Sequence, residues 1–202
     1  MNQPFTIINN TTFFFRPLRE EDLDEVVALC DRCVGKNLYS KDELSKAITS
    51  KDRFFYLLET AEGETVGYTY YYLTNIESIA KFAKLDTELF ENVCPSKTKP
   101  IGKIQSVGLK KKYRGLGLAL QMMRFMLNRL QALSAEAVFI VCWKIGEVVP
   151  LKNALHECGF DYLSEAKKVW YNDTNLVCPI CHGRCHCDAA VYYKLLDERN
   201  LR

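Results

Sequence analysis

The chain has 202 residues, 48% of them hydrophobic and 26% charged, with a net charge of +2. That length suffices for one domain with a full core, and so small a charge gives no bulk electrostatic case for a nucleic-acid or membrane partner. The start, MNQPFTIINNTTFFFRPL, lacks a basic segment followed by a long apolar run; no window approaches about 18 apolar residues, so neither a signal peptide nor a membrane span is expected, and the cytoplasm is the expected compartment.

Residues 13–16 (FFFR) predict a short strand stopped by Pro17. Residues 20–22 open a helix whose apolar face is Leu23, Val26, Val27, Leu29 and Cys30. Ser40 reads as the N-cap of a helix over 41–49, with Glu43 completing a capping box. Residues 53–59 and 65–73 (TVGYTYYYL) form a hairpin around Glu62–Gly63. Residues 76–90 have helical spacing and 93–100 have loop chemistry; the whole of 74–100 reads as an insertion, and a connection this long is more often functional than idle. A strand over 101–109 leads to a long helix over 117–133. Residues 138–143 (VFIVCW) form a strand whose unbroken apolar run implies burial on both faces. A helix over 148–157 ends at Gly159, and strands over 162–171 and 189–196 flank a Cys-rich tip. This order predicts a single mixed α/β domain over 1–202, with a largely antiparallel sheet and one parallel crossing in its middle.

The most informative stretch is 104–133. Its strand runs into a basic loop (Lys110, Lys111, Lys112, Arg114), then Gly115 and Gly117, then the long helix. Glycines there let the backbone turn sharply and expose consecutive N–H groups at the positive end of a helix dipole, which makes an anion site. A Walker loop is excluded because Gly-Lys-Ser/Thr is absent, and a dinucleotide fingerprint fails at Leu120. The pattern Arg114-x-x-Gly117-x-Ala119 resembles the Q/R-x-x-G-x-G/A motif of the GNAT superfamily of acyl-CoA N-acyltransferases. The order of elements and the segment LHECGF (155–160) strengthen the resemblance, which covers roughly residues 13–171 and 189–196.

The resemblance implies a GNAT-like fold and an N-acetyltransferase that moves an acetyl group from acetyl-CoA to an amine by direct attack. It places the coenzyme A pyrophosphate on the amides of Gly115, Leu116, Gly117, Leu118 and Ala119, behind Arg114, with Lys112 and its neighbours drawing the 3′-phosphate. The strand end around Val107–Leu109 would pair with pantetheine and lend an N–H to the developing oxyanion. Strands 101–109 and 138–143 would splay apart around the thioester. Two positions depart from the pattern. The Tyr that serves many members as general acid is Leu155 here, and the Glu on the strand before the glycine loop is replaced by Gln105 and Ser106. The remaining candidates for proton transfer are Tyr70, Tyr72 and His156, the last turned about 100° from position 155. A non-catalytic acyl-CoA sensor or interaction protein of the same fold therefore stays open.

The acceptor is expected to be a small-molecule or peptide amine. Glu77, Asp86, Glu88 and Glu91 in the insertion would suit a cationic one, although Lys81, Lys84, Lys97 and Lys99 nearly balance them. The oligomeric state is left open, a homodimer included. Nine cysteines in a reducing compartment read as thiols or metal ligands. Four of them, Cys178, Cys181, Cys185 and Cys187, sit in CPICHGRCHC. Cys-Pro-x-Cys is a half-site knuckle, so a closed structural zinc that orders this loop is expected, with unmetallated thiols the alternative. One Arg and no aromatic residue in that segment argue against a nucleic-acid knuckle.

Overall fold

A computed structural model describes residues 5–96 and 98–196; Lys97 and both termini lie outside them. The elements in chain order are β1 (Thr6–Ile8), β2 (Thr11–Pro17), α1 (Leu23–Cys33), α2 (Lys41–Thr49), β3 (Arg53–Thr60), β4 (Thr65–Thr74), α3 (Ile76–Ala83), α4 (Thr87–Glu91), β5 (Ile101–Leu109), α5 (Leu118–Ala132), β6 (Ala137–Trp143), α6 (Lys152–Glu157), β7 (Asp161–Ala166) and β8 (Ala189–Leu195). They build one sheet in the order β1-β2-β3-β4-β5-β6-β8-β7. Every neighbouring pair is antiparallel except β5 and β6, which run parallel on either side of α5.

Local chemistry explains most boundaries. Ser40 accepts from the Glu43 amide at 3.2 Å while the Glu43 carboxylate accepts from the Ser40 amide at 2.9 Å, the expected capping box. The β1–β2 hairpin turns on Asn9 and Asn10, both with positive φ, a conformation that Asn tolerates well. The helical pattern over 76–90 resolves into two helices, because Lys84 takes a left-handed conformation at φ +57 and ends α3. The helix expected from residue 148 starts four residues later. Ile145 and Val148 exchange backbone hydrogen bonds of 2.9 and 3.1 Å there, a tight turn that consumes the amides a helix would need. The strand expected to reach residue 171 stops at Ala166. Lys168, at positive φ, donates its amide to Asp188 at 3.1 Å and sends the chain across the sheet end.

The sheet separates two apolar layers. On one face, Met123, Met126, Leu127 and Leu130 of α5 and Leu155 of α6 pack on Tyr71, Ile104, Val138 and Ile140. On the other, α1 and α2 cover β3 and β4 through Val26, Leu29, Leu44 and Leu57. Farther along that face, α3 and α4 cover Ile101, Phe139, Val141 and Val191. The two helix pairs on this second face leave a gap over β5, and the site lies there. At the sheet edge, Arg16 forks between Asp22 and Glu59, with contacts of 2.6 Å to each, and ties β2, β3 and the entry to α1 together.

Candidate active site

The parallel ladder between β5 and β6 joins only Gly102–Ile104 to Val138–Ile140. Beyond Ile104 the two strands part. A bulge contributes: the β4–β5 register slips between Tyr70 and Tyr71, leaving Gln105 as the extra residue on β5. The wedge opens into a cleft of about 770 Å³. Lys110, just past β5, donates to Val66 on the β4 side at 2.9 Å. Alternation along the strand therefore turns the backbone of Val107 and Leu109 toward the open side. Both residues line the cleft, so the strand end expected to carry free main-chain donors has them facing the gap.

At the mouth, Gly115 and Gly117 adopt φ of +79 and +76, and a Cβ added at either would meet nothing within 4 Å. An L-residue at such φ is strained, and the open space in front is what a bulky anion requires. Gly117 is the N-cap of α5, a helix of 15 residues. Gly115, Gly117, Leu118 and Ala119 line the cleft beside Arg114, whose Nε donates to the Leu109 carbonyl at 3.0 Å and locks the loop to the strand. Leu116 instead packs with Phe13, Leu109 and Met122. Lys112 does not line the cleft. It pairs with Glu64 at 2.9 Å, as Lys110 does at 3.4 Å, and Tyr113 donates to the same carboxylate at 2.7 Å. Those three donors hold the Glu64 carboxyl down to about 2.

The cleft floor is polar. Tyr39, from the α1–α2 connection, shares a 2.8 Å hydrogen bond with Ser106. Tyr72 donates to Gln105 at 3.3 Å. Burial pushes both phenols up, Tyr72 to about 12, so both are neutral donors near neutral pH. Tyr39 lines the cleft directly and Tyr72 stands behind Gln105. Tyr70 is 5% exposed, accepts from Arg53 at 3.0 Å and packs edge-on to Tyr39. It supports the floor without lining it. His156 is exposed on α6, whose residues Asn153, Ala154 and Glu157 line the cleft in its place. Leu155 is fully buried in the core. Sequence reasoning missed Tyr39 and Lys103. The only available signal for Tyr39 was its place between two helices; Lys103 was a charge inside the apolar run IGKIQSV, a pattern that marks a buried cation. The acidic residues of the insertion do not line the cleft; Phe82 is the insertion's contribution to its wall.

The Cys-rich loop contributes to the cleft wall as well. Leu176, Pro179 and Ile180 line the cleft with Trp143 and Trp170. The loop is strapped to the α1–α2 connection by the Val177 amide on the Lys36 carbonyl (2.9 Å) and by the Asn37 side chain on the Asn175 carbonyl (3.2 Å). Within it, the sulfurs of Cys178, Cys181 and Cys187 lie within 4.8 Å of one another, at 3.9 Å for Cys178–Cys187 and 3.6 Å for Cys181–Cys187. The edge of a zinc tetrathiolate tetrahedron with bonds of about 2.3 Å is about 3.8 Å, so the donor set fits that ion. Backbone amides of Cys181 and His186 also point at the Cys178 and Cys181 sulfurs, at 3.3 and 3.4 Å, as they do around a thiolate that needs its charge stabilised. Cys185, the fourth expected ligand, is placed less closely. Its side chain is fully buried with Leu176 under the loop, and its sulfur stands outside the close triad.

No protein-family model matches the chain, and no curated protein matches it significantly in sequence. Solved structures do match its fold. NAA60 of Arabidopsis thaliana, in complex with acetyl-CoA, aligns with a TM-score of 0.67 at 12% identity, over 92% of this chain and 99% of that one. Naa20 of Chaetomium thermophilum, in complex with a bisubstrate analogue, aligns at 0.65 and 17% identity, over 90% and 86%. An acetyltransferase of the GNAT family from Streptococcus pneumoniae aligns at 0.60 and 14% identity, over 91% and 99%. The fold is therefore that of the GNAT acetyltransferases, over nearly the whole chain. Among the described residues no helix is long and apolar enough to cross a membrane.

Proposed function

We propose that the protein is an N-acetyltransferase that takes its acetyl group from acetyl-CoA. The observation that carries this reading is the continuity of one cleft, from the open, left-handed glycines at the start of α5 to the parted strands β5 and β6. A diphosphate would sit on the amides of residues 115–119, pantetheine would run along Val107–Leu109, and the thioester would rest in the wedge. An amine entering over Tyr39 and Gln105 would attack the thioester carbon, and an amide of β5 would stabilise the oxyanion. The Tyr39–Ser106 pair on the cleft floor would pass the proton that the attacking amine loses to the departing thiolate.

Titration calorimetry with acetyl-CoA tests this on wild type and Gly117→Glu. The added carboxylate repels the diphosphate and crowds its seat, and the variant is expected to lose affinity about a hundredfold or more. Equal affinity would remove the glycine turn from the reading. A second reading, a non-catalytic acyl-CoA sensor, draws on Leu155, an apolar core residue where the related pattern has its phenol. Release of free thiol with any member of an amine panel would end it.

In this reading the Cys-rich loop holds one structural zinc through Cys178, Cys181 and Cys187, with Cys185, buried beside them, as the fourth donor. Such a site is closed and does no chemistry. Its role is to hold Leu176, Pro179 and Ile180 against the cleft.

A further inference from the structure

Lys103 stands out among the groups that this mechanism does not use. It is 2% exposed, it lines the cleft, and its Nζ has no hydrogen-bond partner. The amine lies 3.2 Å from the centre of the Phe82 ring and 5.4 Å from that of Tyr72. Two aromatic faces attract a cation but do not replace its lost hydration. Lys103 belongs to the last rungs of the β5–β6 ladder, paired with Phe139, so it stands at the closed end of the wedge. Arg53 of β3, 4.8 Å from the Tyr72 ring, adds positive charge that disfavours the protonated amine of Lys103. Its other neighbours, Tyr72 of β4, Phe82 of α3 and Phe139 of β6, bring no negative charge. The acidic groups of the cleft, Asp31 and Glu157, belong to α1 and α6.

We propose that the acceptor carries a carboxylate, and that Lys103 binds it at the base of the cleft. The substrate class is then an amino acid or another amine that bears an acid group. This inference rests on the acetyltransferase reading and reverses the cationic acceptor that the insertion's composition suggests. Burial and Arg53 pull the Lys103 amine down to about 7 in the empty protein. A carboxylate that supplies the missing partner restores its ordinary affinity for a proton, so binding near neutral pH takes up a proton.

The test uses the whole chain saturated with coenzyme A. It is titrated at pH 7 with a panel of N-acetyl amino acids and, for each, the N-alkylacetamide that has hydrogen in place of the carboxylate. Calorimetry in buffers of different ionisation enthalpy counts the protons. At least one acid is expected to bind about tenfold or more tightly than its match, with uptake of about half a proton. Lys103→Met should abolish both the preference and the uptake. Lys103→Arg, which keeps the charge but does not titrate, should retain a preference without the uptake. Equal binding of matched pairs, binding of no acid at all, or a preference that survives Lys103→Met would overturn the proposal. The same titrations on protein without coenzyme A keep the two readings apart: failure of coenzyme A to bind counts against the acetyltransferase, and the matched pairs still report on Lys103.

Discussion

Replacing Lys103 by Met removes a buried amine and keeps the length of its stem, so the substitution separates charge from packing. In the folded protein the amine has a proton affinity near 7, against an ordinary value of 10.5 in the unfolded chain. The folded state therefore binds fewer protons than the unfolded one between those two values, and stability rises as pH rises through that window. Below pH 6 the wild type carries the whole penalty of an unpaired buried ammonium, roughly 5 kcal/mol for a difference of this size. Above about pH 10.5 the amine is neutral in both states and the penalty is gone. Lys103→Met should accordingly be more stable than wild type by roughly 5 kcal/mol at pH 6, by roughly 2 kcal/mol at pH 9, and by little near pH 11. Urea unfolding of both chains at each pH measures the difference, and titrations common to the two cancel. A difference that stays constant with pH, or a variant less stable than wild type at pH 6, would refute the claim that this amine is buried without a partner.

Removing zinc with a chelator, or making Cys178→Ser with Cys181→Ser, should release the loop between β7 and β8. Proteolysis within residues 172–188 should rise while acetyl-CoA affinity stays within about twofold, since the glycine turn is fixed by α5 and by the Arg114–Leu109 hydrogen bond rather than by that loop. Elemental analysis far below one zinc per chain, with unchanged proteolysis, would show that the loop holds itself. Arg16→Ala leaves Asp22 and Glu59 half-buried without their shared cation; a loss of about 3 kcal/mol in urea unfolding is expected, and a loss under about 1 kcal/mol would mean that water replaces the guanidinium.

The chain's own residues determined the local elements and the left-handed glycine turn before α5. Ser40 and Glu43 cap α2 wherever that helix lies, and Gly115 and Gly117 can turn left-handed before α5 because of what they are. These are short-range properties, carried by residues three or four apart. The β1–β2 hairpin was legible too, since Asn9–Asn10 between the strand-forming residues Ile8 and Thr11 is a turn signal.

Other features exist only through contacts between distant segments. Lys112 carried the right charge in the right loop, and Glu64, 48 residues away, claims it. Tyr39 meets Ser106 across 67 residues, which no periodicity encodes. Strand β8 inserts between β6 and β7, and that crossing brings the Cys-rich loop onto the cleft. Most of all, Lys103 is one lysine among many in the written chain. Its unpaired burial arises because β4, α3 and β6 close around it, and only packing in three dimensions decides which charges lose their water.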